Sequence, residues 1–177
     1  MPHIHTEPGQ HDHTVTAYIV RIDTPEPLAM VHMHRKLNIL LPVGGHVELN
    51  ETPWQAMAHE LLEESGYSLS EVRILQPPVR LESLTDIALH PYPLVMNTHD
   101  VPGEHFHSDT VYGFVVQGEP SEEAEEGESI DIRWLTNEEI QALGDDEIFE
   151  NTKQVYNFFL TKALQNWTSV KAETFEL

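Results

Sequence analysis

Residues 52 to 66 read as a helix whose two ends are written into the chain. Thr52 is an N-cap candidate, Pro53 suits the first helical position, and Gln55 stands where a capping-box side chain reaches back. Gly66 supplies the left-handed stop. The flanks read otherwise. Thr14 to Ile22 is β-branched and aromatic, "TPEP" at Thr24 to Pro27 is a turn, and Leu28 to Met33 resumes as a strand. A short apolar run, "LNILLPV", then leads into Gly44 and Gly45. Beyond the helix, "VRLESLTDIALH", "YPLVMNTH", "HFHSDTVYGFVVQG" and "IDIRWL" carry strand composition. A second capping box, Thr136 to Glu139, opens a short helix, and Phe149 to Trp167 has helical apolar spacing. Mixed strands with a few helices predict an α/β sandwich. We expect one domain over residues 14–177, including the C-terminal helix, behind a His-rich arm at 1–13.

The central helix is divided by chemistry. At about 100° per residue, Glu60, Glu63 and Glu64 share about a third of its circumference. Trp54, Met57, Ala58, Leu61 and Leu62 take the other side, which predicts a buried apolar stripe and places Trp54 in the core. Like charges at i,i+3 and i,i+4 repel by a few tenths of a kcal/mol when solvated, so crowding alone decides nothing. One reading is a solvated acidic face; the other is a site for hard divalent cations, which take oxygen ligands.

Composition narrows the partners. Nine basic against thirty acidic side chains give a formal charge of -21, which argues against gripping duplex nucleic acid. An anionic substrate must arrive with a cation. With no cysteine, neither a disulfide nor a thiolate zinc site is available. The chain shows no apolar run of membrane-span length and no signal-peptide pattern, so a cytoplasmic protein without membrane attachment is expected.

The spacing of Gly45, Glu51, Glu60, Leu61, Glu63, Glu64, Gly66 and Tyr67 resembles the Nudix box, G-x5-E-x7-R-E-U-x-E-E-x-G-U with U apolar. The resemblance extends from about Thr14 to Leu143. It implies a Nudix-type α/β/α sandwich with a mixed sheet and a catalytic-loop helix. The implied activity is hydrolysis of a pyrophosphate bond, using Mg²⁺ or Mn²⁺ and water, in a small, nucleotide-derived phosphoanhydride. Glu60 and Glu64 are then the chief metal ligands, Glu63 a ligand or water-activating base, and Gly45 a further donor through its carbonyl. Glu51 would orient the cluster. Glu126 or Glu128, in the acidic loop before "IDIRW", resembles a distal catalytic glutamate. Homodimers are common in the family.

One position departs from the pattern: His59 stands where the box has arginine. Imidazole cannot orient carboxylates bidentately as guanidinium does. This keeps open a second reading, a Nudix fold that binds its ligand but turns it over poorly. A third constellation lies apart: on a strand, His105, His107 and Asp109 share one face, with Phe106 and Tyr112 on the other. Such a face could line a cleft, bind a transition metal in a β-barrel, or simply be exposed. His32, His34 and His46 are expected to be loop or surface residues.

Overall fold

The computed structural model describes residues 6–101, 105–124 and 130–177, with only the backbone of Ile130. Along the chain run β1 (His11–Arg21), β2 (Leu28–His34), β3 (Ile39–Leu41), β4 (Val43–His46), α1 (Pro53–Ser65), β5 (Arg73–Gln76), β6 (Val95–Asp100), β7 (Phe106–Val116), β8 (Ile130–Leu135) and α2 (Asn137–Ala142). A last helical segment follows: α3 (Glu150–Phe158), a π turn (Phe159–Ala163) and α4 (Leu164–Asn166); β9 (Thr168–Lys171) comes after it.

The sheet is mixed and built on two long strands. β1 and β7 pair in parallel from His11↔Phe106 to Arg21↔Val116. Each is long enough to take two partners on its other edge. β1 pairs with β4 through Thr14 to Ala17 and with β2 through Val20 and Arg21. β7 pairs with β6 through its first half and with β5 near its end. β3 and β8 add to β2, and β9 to β5.

Strand alternation sends successive side chains to two cores. Val15, Ala17 and Ile19 of β1 join Tyr112 and Phe114 of β7 against Trp54, Met57 and Leu61 of α1. Tyr18 and Val20 join Val111 and Val115 against Tyr156, Phe159 and Leu160. The result is the expected α/β/α sandwich. Trp54 is fully buried and meets the Tyr112 ring edge-on at 5.3 Å. Full burial of a large apolar side chain contributes about 1.5–3 kcal/mol, which fixes α1 firmly on the sheet.

Several elements differ from the sequence reading. The stretch from Val79 to His90 is irregular rather than a strand. Val79 is 90% exposed and Leu81 57%, so its apolar residues have no core to enter. The pairing strand lies earlier, at Arg73–Gln76, and β9 was not anticipated. β1 begins at His11, three residues before the expected start at Thr14, because His11, Asp12 and His13 continue the ladder with β7.

Candidate active site

The ends of α1 are as the sequence specifies. Thr52 accepts from the Gln55 amide while the Gln55 side chain accepts from the Thr52 amide at 2.8 Å. Gly66 adopts φ 75°, and its N–H closes on the Leu62 carbonyl. These caps, with the burial of Trp54, Met57 and Leu61, aim the carboxylate face at the loop carrying Gly44 and Gly45. Ala56 is buried, whereas Ala58 and Leu62 are only half-buried.

Glu64 rules out a purely solvated acidic face. It is 8% exposed, and its Oε2 accepts from the Gly44 amide at 2.8 Å. His32 Nε2 lies 3.7 Å from the same oxygen. Contrary to expectation, His32 is therefore not at the surface: it is 2% exposed. Burial pushes its imidazole down to about 4, so it is neutral at ordinary pH. A missed signal was available, since His32 follows Met30 by two residues and Met30 faces α1. Alternation sends both to the same side.

Glu60 approaches the loop from the same face. A Cβ on Gly45 would fall 1.9 Å from Glu60 Oε1, so this carboxylate occupies the space a side chain would need. At Gly44 a Cβ would meet the Val15 carbonyl oxygen at 2.3 Å. Glu51 is engaged at both oxygens: Oε1 accepts from the Glu48 amide at 2.8 Å, and Oε2 lies 2.9 Å from His59 Nδ1. His59, its side chain 67% exposed, thus pairs with Glu51. Glu63 is half-buried on the same helix. Glu126 and Glu128 lie outside the described residues.

His105, His107 and Asp109 stand elsewhere. Val111 and Val115 of β7 face the C-terminal helix, and alternation puts His107 and Asp109 on that side, opposite α1. Asp109 accepts from the Thr14 hydroxyl at 3.1 Å, the Thr16 hydroxyl at 3.0 Å and the Asn97 amide at 3.4 Å. His46 is not a free loop residue: it ends β4, and its Nε2 lies 3.2 Å from His107 Nε2. Burial first, then the neighbouring His46, His99 and His105, push His107 down to about 4. Among the described residues, the group of metal-ligand side chains whose donor atoms all lie within 4.8 Å of one another is His46, His105 and His107. An open groove of about 540 Å³ runs along the β1, β7 and β6 ends, lined by His11, His13, Met96, Asn97, Thr98, Ser108 and Asp109.

A two-core sandwich, with a capped glutamate helix set against a double-glycine loop, defines the Nudix class of fold. A family model described as NUDIX domain matches residues 12–156, and the chain belongs to that family. A NUDIX-family hydrolase from Clostridium perfringens superposes with a TM-score of 0.66 at 28% identity, over 84% of this chain and 97% of that one. An Ap4A hydrolase from C. elegans gives 0.62 at 15% identity, covering 84% and 94%. The E. coli dihydroneopterin triphosphate pyrophosphohydrolase gives 0.60 at 16%, covering 89% and 100%. No curated protein matches the sequence at a significant level. No described helix is long and apolar enough to cross a membrane.

Proposed function

We propose that the protein hydrolyses a phosphoanhydride bond in a small, nucleotide-derived substrate, with Mg²⁺ or Mn²⁺ held by the box. The observation that carries this reading is the burial of Glu64 against the Gly44 amide while Glu60 fills the space beside Gly45. A helix carboxylate taken out of water and fixed to a glycine loop is costly unless it has work to do there. The donor types suit a hard dication: Glu60, Glu63 and Glu64 carry carboxylate oxygens and Gly45 a carbonyl oxygen, and side-chain rotation would have to gather the three carboxylates around one ion. When bound, the cation supplies charge neutralisation at the phosphates and acidifies water. Glu60 and Glu64 would hold it. Glu63 would share that task or accept the proton of the attacking water, and Glu51 with His59 would keep the loop in register. Glu128 remains our candidate for a distal base. The class of substrate is supported by neighbours that act on Ap4A or dihydroneopterin triphosphate. A charge of -21 speaks against duplex nucleic acid as partner; a homodimer is compatible with the family.

The second reading, a ligand-binding Nudix domain with weak turnover, draws on His59, which makes a single side-chain contact where arginine could make two. One experiment separates them. Product release is followed from nucleoside triphosphates, dinucleoside polyphosphates, nucleotide sugars and ADP-ribose, with metal or chelator, for wild type, Glu64→Gln and His59→Arg. Metal-dependent turnover lost in Glu64→Gln supports the hydrolase. Turnover confined to His59→Arg supports the binding domain, and turnover untouched by Glu64→Gln overturns the assignment of the box.

A further inference from the structure

The sheet separates two sets of donors. On the α1 side the donors are carboxylates; on the other, the starts of β1 and β7 and the end of β4 bring imidazoles together. We propose that Asp12, His46, His105 and His107 form a separate site for a d-block dication of the zinc class. It does not depend on the hydrolase reading.

Four observations carry this. The Nε2 atoms of His46 and His107 stand 3.2 Å apart, close to the roughly 3.3 Å edge of a tetrahedron with metal–nitrogen bonds of about 2.0–2.1 Å. Asp12 Oδ2 lies 3.5 Å from the same His46 nitrogen, near another edge. All three imidazoles have a donor atom within 4.8 Å of the others, so closing on an ion needs small side-chain rotations only. Finally, Asp12 is 4% exposed, and its Oδ2 accepts no hydrogen bond from any described residue. A buried carboxylate oxygen that accepts no hydrogen bond, beside the His46 imidazole, is a poor arrangement without a cation and a good one with it.

The neighbours fix which residues belong. Asp109, the acid that the sequence pattern grouped with these histidines, has its oxygens engaged by Thr14, Thr16 and Asn97, so it is left out of the ligand set. His11 and His13 point to the opposite face and meet the Ser108 and Thr110 hydroxyls at 2.7 and 3.0 Å. Nitrogen-rich donors select zinc-class ions over Mg²⁺, so the two sites need not compete. An ion here would tie the start of β1 to the box loop, because His46 directly follows Gly45.

The test uses the full-length, untagged protein stripped by chelator and titrated with Co²⁺. The expected result is one Co²⁺ per chain with the intense visible absorption of a four-coordinate ion, displaced by Zn²⁺. It should persist in Glu60→Gln and in a His3→Ala/His5→Ala double variant. It should vanish in His107→Ala and His46→Gln, and Asp12→Asn should bind about 10–100-fold more weakly. Circular dichroism and melting of the metal-free variants separate loss of site from loss of fold. An unchanged cobalt spectrum in folded His107→Ala, its loss with His3 and His5, or only the faint absorption of six-coordinate cobalt in the wild type would each overturn the proposal.

Discussion

Replacing Gly45 by alanine separates the position of Glu60 from the stability of the fold. The added Cβ would lie 1.9 Å from Glu60 Oε1, 2.4 Å from its Cδ and 2.9 Å from Oε2. Gly45 does not use a positive φ, so the backbone accepts alanine and the conflict is with the tip of a flexible side chain. Glu60 escapes by leaving its rotamer, at about 1 kcal/mol. For a chain of this size that lowers the melting temperature by about 2–4 °C. The same movement takes the carboxylate out of place, and a displacement of about 1 Å costs on the order of 100-fold in rate. Mn²⁺ affinity should fall by about 10–100-fold, as for other losses of ligand support. The readout is free Mn²⁺ by electron paramagnetic resonance, beside a melting curve and the Glu60→Gln variant. Because both changes act on one carboxylate, the double variant should be no worse than the weaker single one. If Gly45→Ala binds Mn²⁺ like the wild type while Glu60→Gln does not, the link between Gly45 and Glu60 is refuted.

Three other perturbations probe the frame around the site. Gly66→Ala meets a left-handed backbone, which disfavours a side chain by about 1–2 kcal/mol, and a Cβ there would fall 2.1 Å from the Glu122 carbonyl oxygen, a backbone atom that cannot swing aside. Urea unfolding should show a loss of about 2–4 kcal/mol, and one below about 1 would mean that the turn relaxes freely. Tyr156→Phe removes the hydroxyl that donates to the Met30 carbonyl between the C-terminal helix and β2, for about 1–3 kcal/mol in the same assay; no change would show that bond to be dispensable. At alkaline pH, burial raises Tyr112 and Tyr67 to about 12, and lifts Tyr18 and Tyr156 further above their ordinary value of 10.0. Above pH 10 the unfolded chain releases these protons and the folded one keeps them, so stability falls as pH rises toward 12. Absorbance at the phenolate band should therefore lag behind that of free tyrosine until the chain unfolds; simple titration at the ordinary value would contradict the burial.

What could be read from the sequence was local and periodic. The caps of α1 are contacts within four residues, side chain to backbone at Thr52 and Gln55 and backbone to backbone at Gly66, and both form as written. The alternation of His107 and Asp109 along β7 also holds, since it needs only an extended backbone. Long-range pairing was not legible. His46 meets His107 because β4 and β7 lie on either side of β1, with Thr14 opposite both His46 and Asp109. Nothing in either segment announces that register. The same limit explains Val79 to His90, whose composition suits a strand but which finds no edge to join, whereas four residues at Arg73 to Gln76 find two.

The substitution at His59 is milder than the chemical difference between imidazole and guanidinium suggests. Arginine's advantage is a second donor in a fixed plane. Here Glu51 already has its other oxygen held by the Glu48 amide, so the loop backbone supplies the second hydrogen bond. The His59–Glu51 contact itself is two-thirds exposed on the histidine side, and exposed contacts of this kind contribute about 0–1 kcal/mol. Most of the restraint on Glu51 therefore comes from the backbone contact. It follows that His59→Ala should weaken Mn²⁺ binding only a few-fold, whereas Glu51→Gln, which removes the charge and rearranges both contacts, should weaken it by about 10–100-fold. Measured side by side by paramagnetic resonance, a His59→Ala loss as large as that of Glu51→Gln would show that the imidazole orients the box after all, and that the backbone contact is incidental.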